Sequence, residues 1–179
     1  MTTICRLLDL SQTAQAGALT AVSRIFFAAS GVQTFSDDAA KAAFRQRWLG
    51  RYLDHDVAHV YVAIASDGSI CGYLVGSFDD PARVTRFSDI AFFADFAHLT
   101  LSFPAHLHVN LDATARSCGI GSRLVEAFVA AARAARLPGV HVVTGKGARN
   151  VAFYERLGFV ERGSTMSHGK QIVFLGREL

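Results

Sequence analysis

The stretch HLHVNLDATARSCGIGSRLVEAF, residues 106–128, decides how this chain reads. It closes an apolar run, Phe103–Asp112, that has the composition of a strand. It then turns through Arg116-Ser117-Cys118-Gly119-Ile120-Gly121 and opens a segment, Gly121–Arg136, with helical spacing. In that segment Leu124, Val125, Phe128, Val129 and Ala132 form one apolar stripe. Gly119 and Gly121 carry no side chain, so a ligand can approach the backbone there. The first N–H groups of the helix have no intrahelical acceptor and sit at its positive end, an arrangement that suits phosphate and pyrophosphate. No Lys-Ser or Lys-Thr follows the glycines, so this is not a Walker loop. Leu124 stands where a dinucleotide fingerprint would need its third glycine. A tight turn before a helix is the plain alternative, and the G-x-G alone does not decide between them.

Working outward, Thr3–Leu8 reads as a short strand and residues 13–29 as an Ala-rich helix. Ser36-Asp37-Asp38 offers capping chemistry to a second helix, with Ala40, Phe44, Trp48 and Tyr52 on one face. His59–Ala65 and Ile70–Phe78 flank Asp67-Gly68, a hairpin signal. Residues 79–102 read as a loop with a short helix, and Phe87, Phe92, Phe93 and Phe96 there fit either buried core or a lid over a pocket. Residues 140–145 form a further strand. The run ARNVAFYERLGF, residues 148–159, forms a helix that Gly158 ends. Two β segments, FVERGSTM and KQIVFLGREL, close the chain. The order predicts an α/β or α+β domain with a mixed sheet, a single domain over residues 1–179.

Composition agrees with that class. The 179 residues are 51% hydrophobic and 18% charged, which excludes a disordered chain. Mean hydropathy is +0.27, high enough to raise the membrane question. The most apolar stretch, Ile90–Leu111, is interrupted by Asp95, His98, Pro104, His106 and His108, so it does not read as a span. Asp9, Ser11 and Gln12 likewise break any signal-like core after Arg6-Leu7-Leu8. The net charge is +3, and the arginines are scattered rather than gathered in the stripe of a nucleic-acid binder. Cys5, Cys71 and Cys118 are odd in number and lack C-x-x-C spacing, which fits reduced thiols. The expectation is a soluble, cytoplasmic chain with neither nucleic acid nor membrane as partner.

Some thirty residues past the glycine turn, Phe153-Tyr154 is followed by Gly158-Phe159 on a short helix. With this second motif the sequence resembles the GNAT superfamily of N-acetyltransferases. Its acyl-CoA motif, R/Q-x-x-G-x-G/A after an apolar strand, is matched by Arg116 to Gly121; its F/L-Y-x-x-x-G-F helix is matched by Phe153, Tyr154, Gly158 and Phe159. Within the superfamily, FPAHLHVNL looks most like the acetyltransferase-like domains related to those beside O-GlcNAc hydrolases. The resemblance implies a mostly antiparallel central sheet flanked by helices, with acetyl-CoA as co-substrate and no metal.

It also implies roles. Arg116, Ser117, Cys118, Gly119, Ile120, Gly121 and Ser122 fall on the positions that hold the CoA pyrophosphate, chiefly by backbone amides. Val109, Asn110 and Leu111 fall on the strand that bonds the pantetheine arm and polarises the acetyl carbonyl. Tyr154 falls on the residue that protonates the departing thiolate; a core aromatic is the other reading. Two departures stand out. Gly147 replaces the Asn usual seven residues before the Tyr, and Asn150 is the nearest substitute. Family bases on the central strand map to Ala105 and Leu107, while His106 and His108 are one residue out of phase; a β-bulge would bring one round, and His108 is the candidate base. Structural histidines, or a metal pair lacking a third ligand, are the other readings of the two. Cys118 has no His or carboxylate partner in sequence, which argues against a covalent thiol mechanism.

These residues point to direct acetyl transfer to a primary amine on a small molecule or a peptide. A non-catalytic acyl-CoA-binding module of the same fold is the alternative, and a nucleotide enzyme lacks its phosphate Lys and acidic ligands. A homodimer is compatible with the sequence.

Overall fold

The alternation of strand and helix patterns closes into one mixed sheet of seven strands, and the computed structural model describes residues 2–179. The strands are β1 (Thr3–Arg6), β2 (Tyr61–Ile64), β3 (Ile70–Ser77), β4 (Ala105–Leu111), β5 (Gly139–Gly145), β6 (Val160–Ser167) and β7 (Lys170–Glu178). Their order across the sheet is β1-β2-β3-β4-β5-β7-β6. The pairs β1/β2, β2/β3, β5/β7 and β6/β7 are antiparallel, and β4/β5 is parallel. The helices are α1 (Gln12–Ala29), α2 (Asp38–Arg45), α3 (Arg51–His55), α4 (Phe92–Asp95), α5 (Ala97–Thr100), α6 (Ile120–Ala134) and α7 (Arg149–Glu155). The chain gathers into two compact units: one runs to Gly76 and adds His108–Phe128, and the other holds Ser77–Leu107 and Val129–Leu179.

In the first unit, Ser11 Oγ accepts the Ala14 N–H and starts α1, which buries Ala18, Val22, Ile25 and Phe26 at helical spacing. Asp37 Oδ1 accepts the Ala40 N–H at 2.7 Å and starts α2. The predicted second helix does not run straight through: a π-helical turn over Gln46–Gly50 inserts a residue between α2 and α3. A Cβ on the buried Gly50 would meet the tip of the Gln46 side chain, which would have to move aside. The predicted first strand is shorter than expected, since Leu7–Asp9 turn into a 3-10 helix and the Leu7 N–H bonds the Val60 carbonyl. The Asp67-Gly68 hairpin forms as read, with Gly68 at φ +85° and Asp67 Oδ1 accepting from Ser69 N–H and Oγ.

In the second unit, residues 79–102 fold into a 3-10 turn at Thr85–Phe87 followed by α4 and α5. Phe87, Phe93 and Phe96 are buried, so the aromatic run is core. Phe96, Phe103 and Phe174 form its centre, with Phe92, Leu99, Val143 and Ile172 packed around them. The β6/β7 hairpin turns on His168 and Gly169, both at positive φ (+48° and +74°), as a two-residue type I′ turn requires.

Candidate active site

The entry to α6 is built by conformation rather than by side chains. Ser117 (φ +63°) and Gly119 (φ +73°) both take left-handed backbone, and residues 116–119 are exposed. The Arg123 N–H makes the first helical bond, to the Gly119 carbonyl at 3.2 Å. The amides of Ile120, Gly121 and Ser122 therefore precede the helical ladder, the arrangement that suits an anion at a helix start. Gly121 is buried and Ser122 half-buried, while the Cys118 thiol donates back to the Arg116 carbonyl at 3.4 Å. Just upstream, Asp112 holds Arg24 of α1 through two bonds of 2.8 and 2.7 Å. This fork fixes the point where β4 enters the turn. The Arg24 guanidinium holds the Asp112 carboxyl below its ordinary range.

At the end of β4, Val109, Asn110 and Leu111 are half-buried. The Asn110 side chain donates to the Tyr73 hydroxyl at 2.9 Å. The parallel register of β4 with β5 covers Ala105–Val140 and His106–His141 and stops short of Leu107.

The two histidines of β4 part company. His106 is buried in the second unit between Phe87 and Phe93 and stacks on His141 at 5.5 Å. His108 belongs to the first unit and is half-buried. Its Nε2 lies 3.1 Å from the Tyr52 hydroxyl, and Trp48 meets its ring edge-on at 5.9 Å. Crowding by protein, then the Arg51 charge, pushes its pKa down to about 4. Ala105 and Leu107, where relatives place a base, are buried apolar residues. Trp48 and Tyr52 were visible in the sequence only as part of an apolar helix face; nothing in it linked them to His108.

In the second unit, α7 carries Tyr154. The Phe159 N–H bonds the Tyr154 carbonyl at 3.1 Å and the Gly158 N–H bonds the Glu155 carbonyl at 2.9 Å, with Gly158 at φ +80°. This is a Schellman cap, and it seats the Phe159 ring 5.4 Å from the Tyr154 ring. The Y-x-x-x-G-F spacing is thus a cap that packs its own tyrosine. Burial raises the Tyr154 pKa, so the phenol keeps its proton. Asn150 Oδ1 accepts the Thr144 hydroxyl at 2.9 Å, which leaves its NH₂ group to donate. Gly147 is exposed at φ +73° with open space around it, a conformation that Gly and Asn adopt most readily. Among the described residues no three His, Cys, Asp or Glu side chains gather as metal ligands, and no helix is long and apolar enough to cross a membrane.

Known proteins fit this architecture. SsHAT superposes with a TM-score of 0.71 at 19% identity, over 99% of this chain and 98% of that one. Ard1 from Thermoplasma volcanium gives 0.60 at 18% identity, over 99% and 97%. A GNAT superfamily phosphinothricin acetyltransferase from Sinorhizobium meliloti, solved in complex with AcCoA, gives 0.60 at 19% identity, over 99% and 88%. At such identities the likeness is one of fold. The sequence model of the Acetyltransferase (GNAT) family matches residues 26–159, which contain both the glycine turn and the Tyr154 helix. The chain belongs to the GNAT acetyltransferase family, whose general activity is acyl transfer from acetyl-CoA.

Proposed function

We propose that this chain transfers the acetyl group of acetyl-CoA directly to a primary amine, on a small molecule or a peptide, without an acyl-enzyme. The observation that supports the reading is the left-handed turn at Ser117 and Gly119, which leads into first amides of α6 that precede the helical ladder. Acetyl-CoA supplies an activated acyl group as a thioester and departs as a thiolate. The amides of Ser117 to Ser122, with Arg116, hold its pyrophosphate. Main-chain groups of Val109, Asn110 and Leu111 bond the pantetheine arm and polarise the thioester carbonyl. The Asn150 NH₂ group donates to the same arm. Cys118 contributes backbone only.

The acceptor amine attacks as the free base. Bond formation makes its nitrogen acidic, and His108, which burial keeps uncharged at neutral pH, takes the proton released there. Tyr154 gives its phenolic proton to the leaving sulfur. The non-catalytic acyl-CoA-binding module remains the second reading, favoured by Gly147 where the family carries an amide.

The test is a melting titration with acetyl-CoA followed by thiol-release assays across small amines, peptide N-termini and lysine peptides. Stabilisation together with thiol release and a mass gain on an amine is the expected result. Stabilisation with no release on any amine would leave the module reading standing.

A further inference from the structure

The Tyr52–His108 pair does something the acetyltransferase reading above does not require. Tyr52 sits on α3, 56 residues before His108, and is fully buried. Its hydroxyl is 3.1 Å from His108 Nε2, and the two rings meet at 74° with centroids 5.4 Å apart. The π-helical turn at Gln46–Gly50 precedes it and carries Trp48, whose ring closes on the imidazole at 84°. The imidazole is therefore held at one nitrogen and by two aromatic rings set at steep angles to it. Helical turns of this kind concentrate at functional positions.

A neutral imidazole carries one proton, and the nitrogen that keeps it is set by the bond the other makes. A histidine that takes a proton needs a bare nitrogen. We propose that Tyr52 is the positioning residue of His108: its phenolic oxygen accepts the Nε2–H, which leaves Nδ1 as the bare nitrogen that takes the acceptor's proton. The step balances: the N–H bond of the newly acylated amine breaks, an Nδ1–H bond forms, and the imidazolium returns that proton to solvent. The charged and titratable groups around this face of β4 in the same unit include Arg51 and Tyr52 on α3, Tyr73 on β3 beside Asn110, and Arg45 on α2, which acts on Tyr73 and is tied to Ser23. Arg51 disfavours a lasting imidazolium, so the proton passes on rather than staying.

The inference rests on the proposed transfer reaction, but its test is separable from it. Nitrogen-15 spectra of histidine-labelled full-length protein at neutral pH, with His108 assigned by its loss in His108→Gln, read the tautomer without any turnover. The expected wild-type spectrum shows Nε2 protonated and Nδ1 bare. A proton on Nδ1 overturns the proposal, whether or not the protein acetylates amines. In Tyr52→Phe, which keeps the ring, the expected result is averaging between the two tautomers. With it, kcat falls by less than the loss of about 10²-fold or more set by removing a base in His108→Gln, and KM for acetyl-CoA is unchanged. An unchanged tautomer in a folded Tyr52→Phe protein also overturns it. If that variant does not fold, the wild-type spectrum alone decides.

Discussion

Tyr154 shows how one side chain can be separated into a packing part and a chemical part. Its ring is seated by Phe159 through the Schellman cap, and the proposed acid role rests on its hydroxyl alone. Tyr154→Phe keeps the first and deletes the second. Stability should change little, acetyl-CoA affinity should hold, and kcat should fall by roughly 10²–10³, within the span of a lost general acid. Thioesters of more acidic thiols need less proton help, so the loss should shrink with them; equal rates for the two proteins would remove Tyr154 from the mechanism. His108 makes a different prediction, about stability. Its pKa is 6.5 in an ordinary setting and about 4 in the folded chain. Between those values the unfolded chain binds a proton that the folded chain refuses, so this residue's share of stability is complete above pH 6.5 and drains away as pH falls toward 4. Urea melts at pH 7 and pH 4.5 should therefore lose less stability in His108→Gln than in the wild type. Identical losses would mean that the imidazole is not desolvated as the structure has it.

At the scale of elements, local devices were readable and long-range ones were not. The caps at Asp37 and Gly158, the Asp67-Gly68 turn and the buried stripe of α6 each depend on residues a few positions apart. The π-helical turn escaped the reading because Ala40, Phe44, Trp48 and Tyr52 keep a regular spacing in sequence while the backbone inserts a residue among them. The glycine turn is where an element meets chemistry. Gly121 is buried in the first turn of α6, ahead of the first helical hydrogen bond at Arg123. Gly121→Val adds a branched side chain where the proposed function puts the pyrophosphate against the backbone, yet it leaves the apolar stripe from Leu124 to Ala132 untouched. The expected protein is folded by circular dichroism and blind to acetyl-CoA by calorimetry. Normal affinity in this variant would show that the phosphate site lies elsewhere.

For the whole molecule, the family and the mixed sheet could be read from two short motifs because each motif is contiguous. Arg116 to Gly121 is one turn, and Phe153 to Phe159 is one capped helix. The side-chain pairs around β4 are not contiguous. Arg24 and Asp112 lie 88 residues apart, and Tyr52 and His108 lie 56 apart, so only the folded chain brings them together. The aromatic run at 87–96 could not be divided between lid and core by spacing, since burial depends on what packs over it; Phe87 and Phe93 close over His106. The reading as a whole predicts a linked equilibrium. A ligand that binds only the folded chain stabilises it by about 2.7 kcal/mol at one hundred times its Kd. For a chain of this size each kcal/mol raises Tm by roughly 2–4 °C, so acetyl-CoA at that level should raise it by about 5–11 °C. Free CoA should act alike, because the pyrophosphate and pantetheine contacts do not involve the acetyl group. The rise should shrink with added salt, which screens exposed phosphate contacts. A rise with ATP and none with either CoA species would assign the α6 turn to a nucleotide instead, and the acetyl-transfer proposal would fall with it.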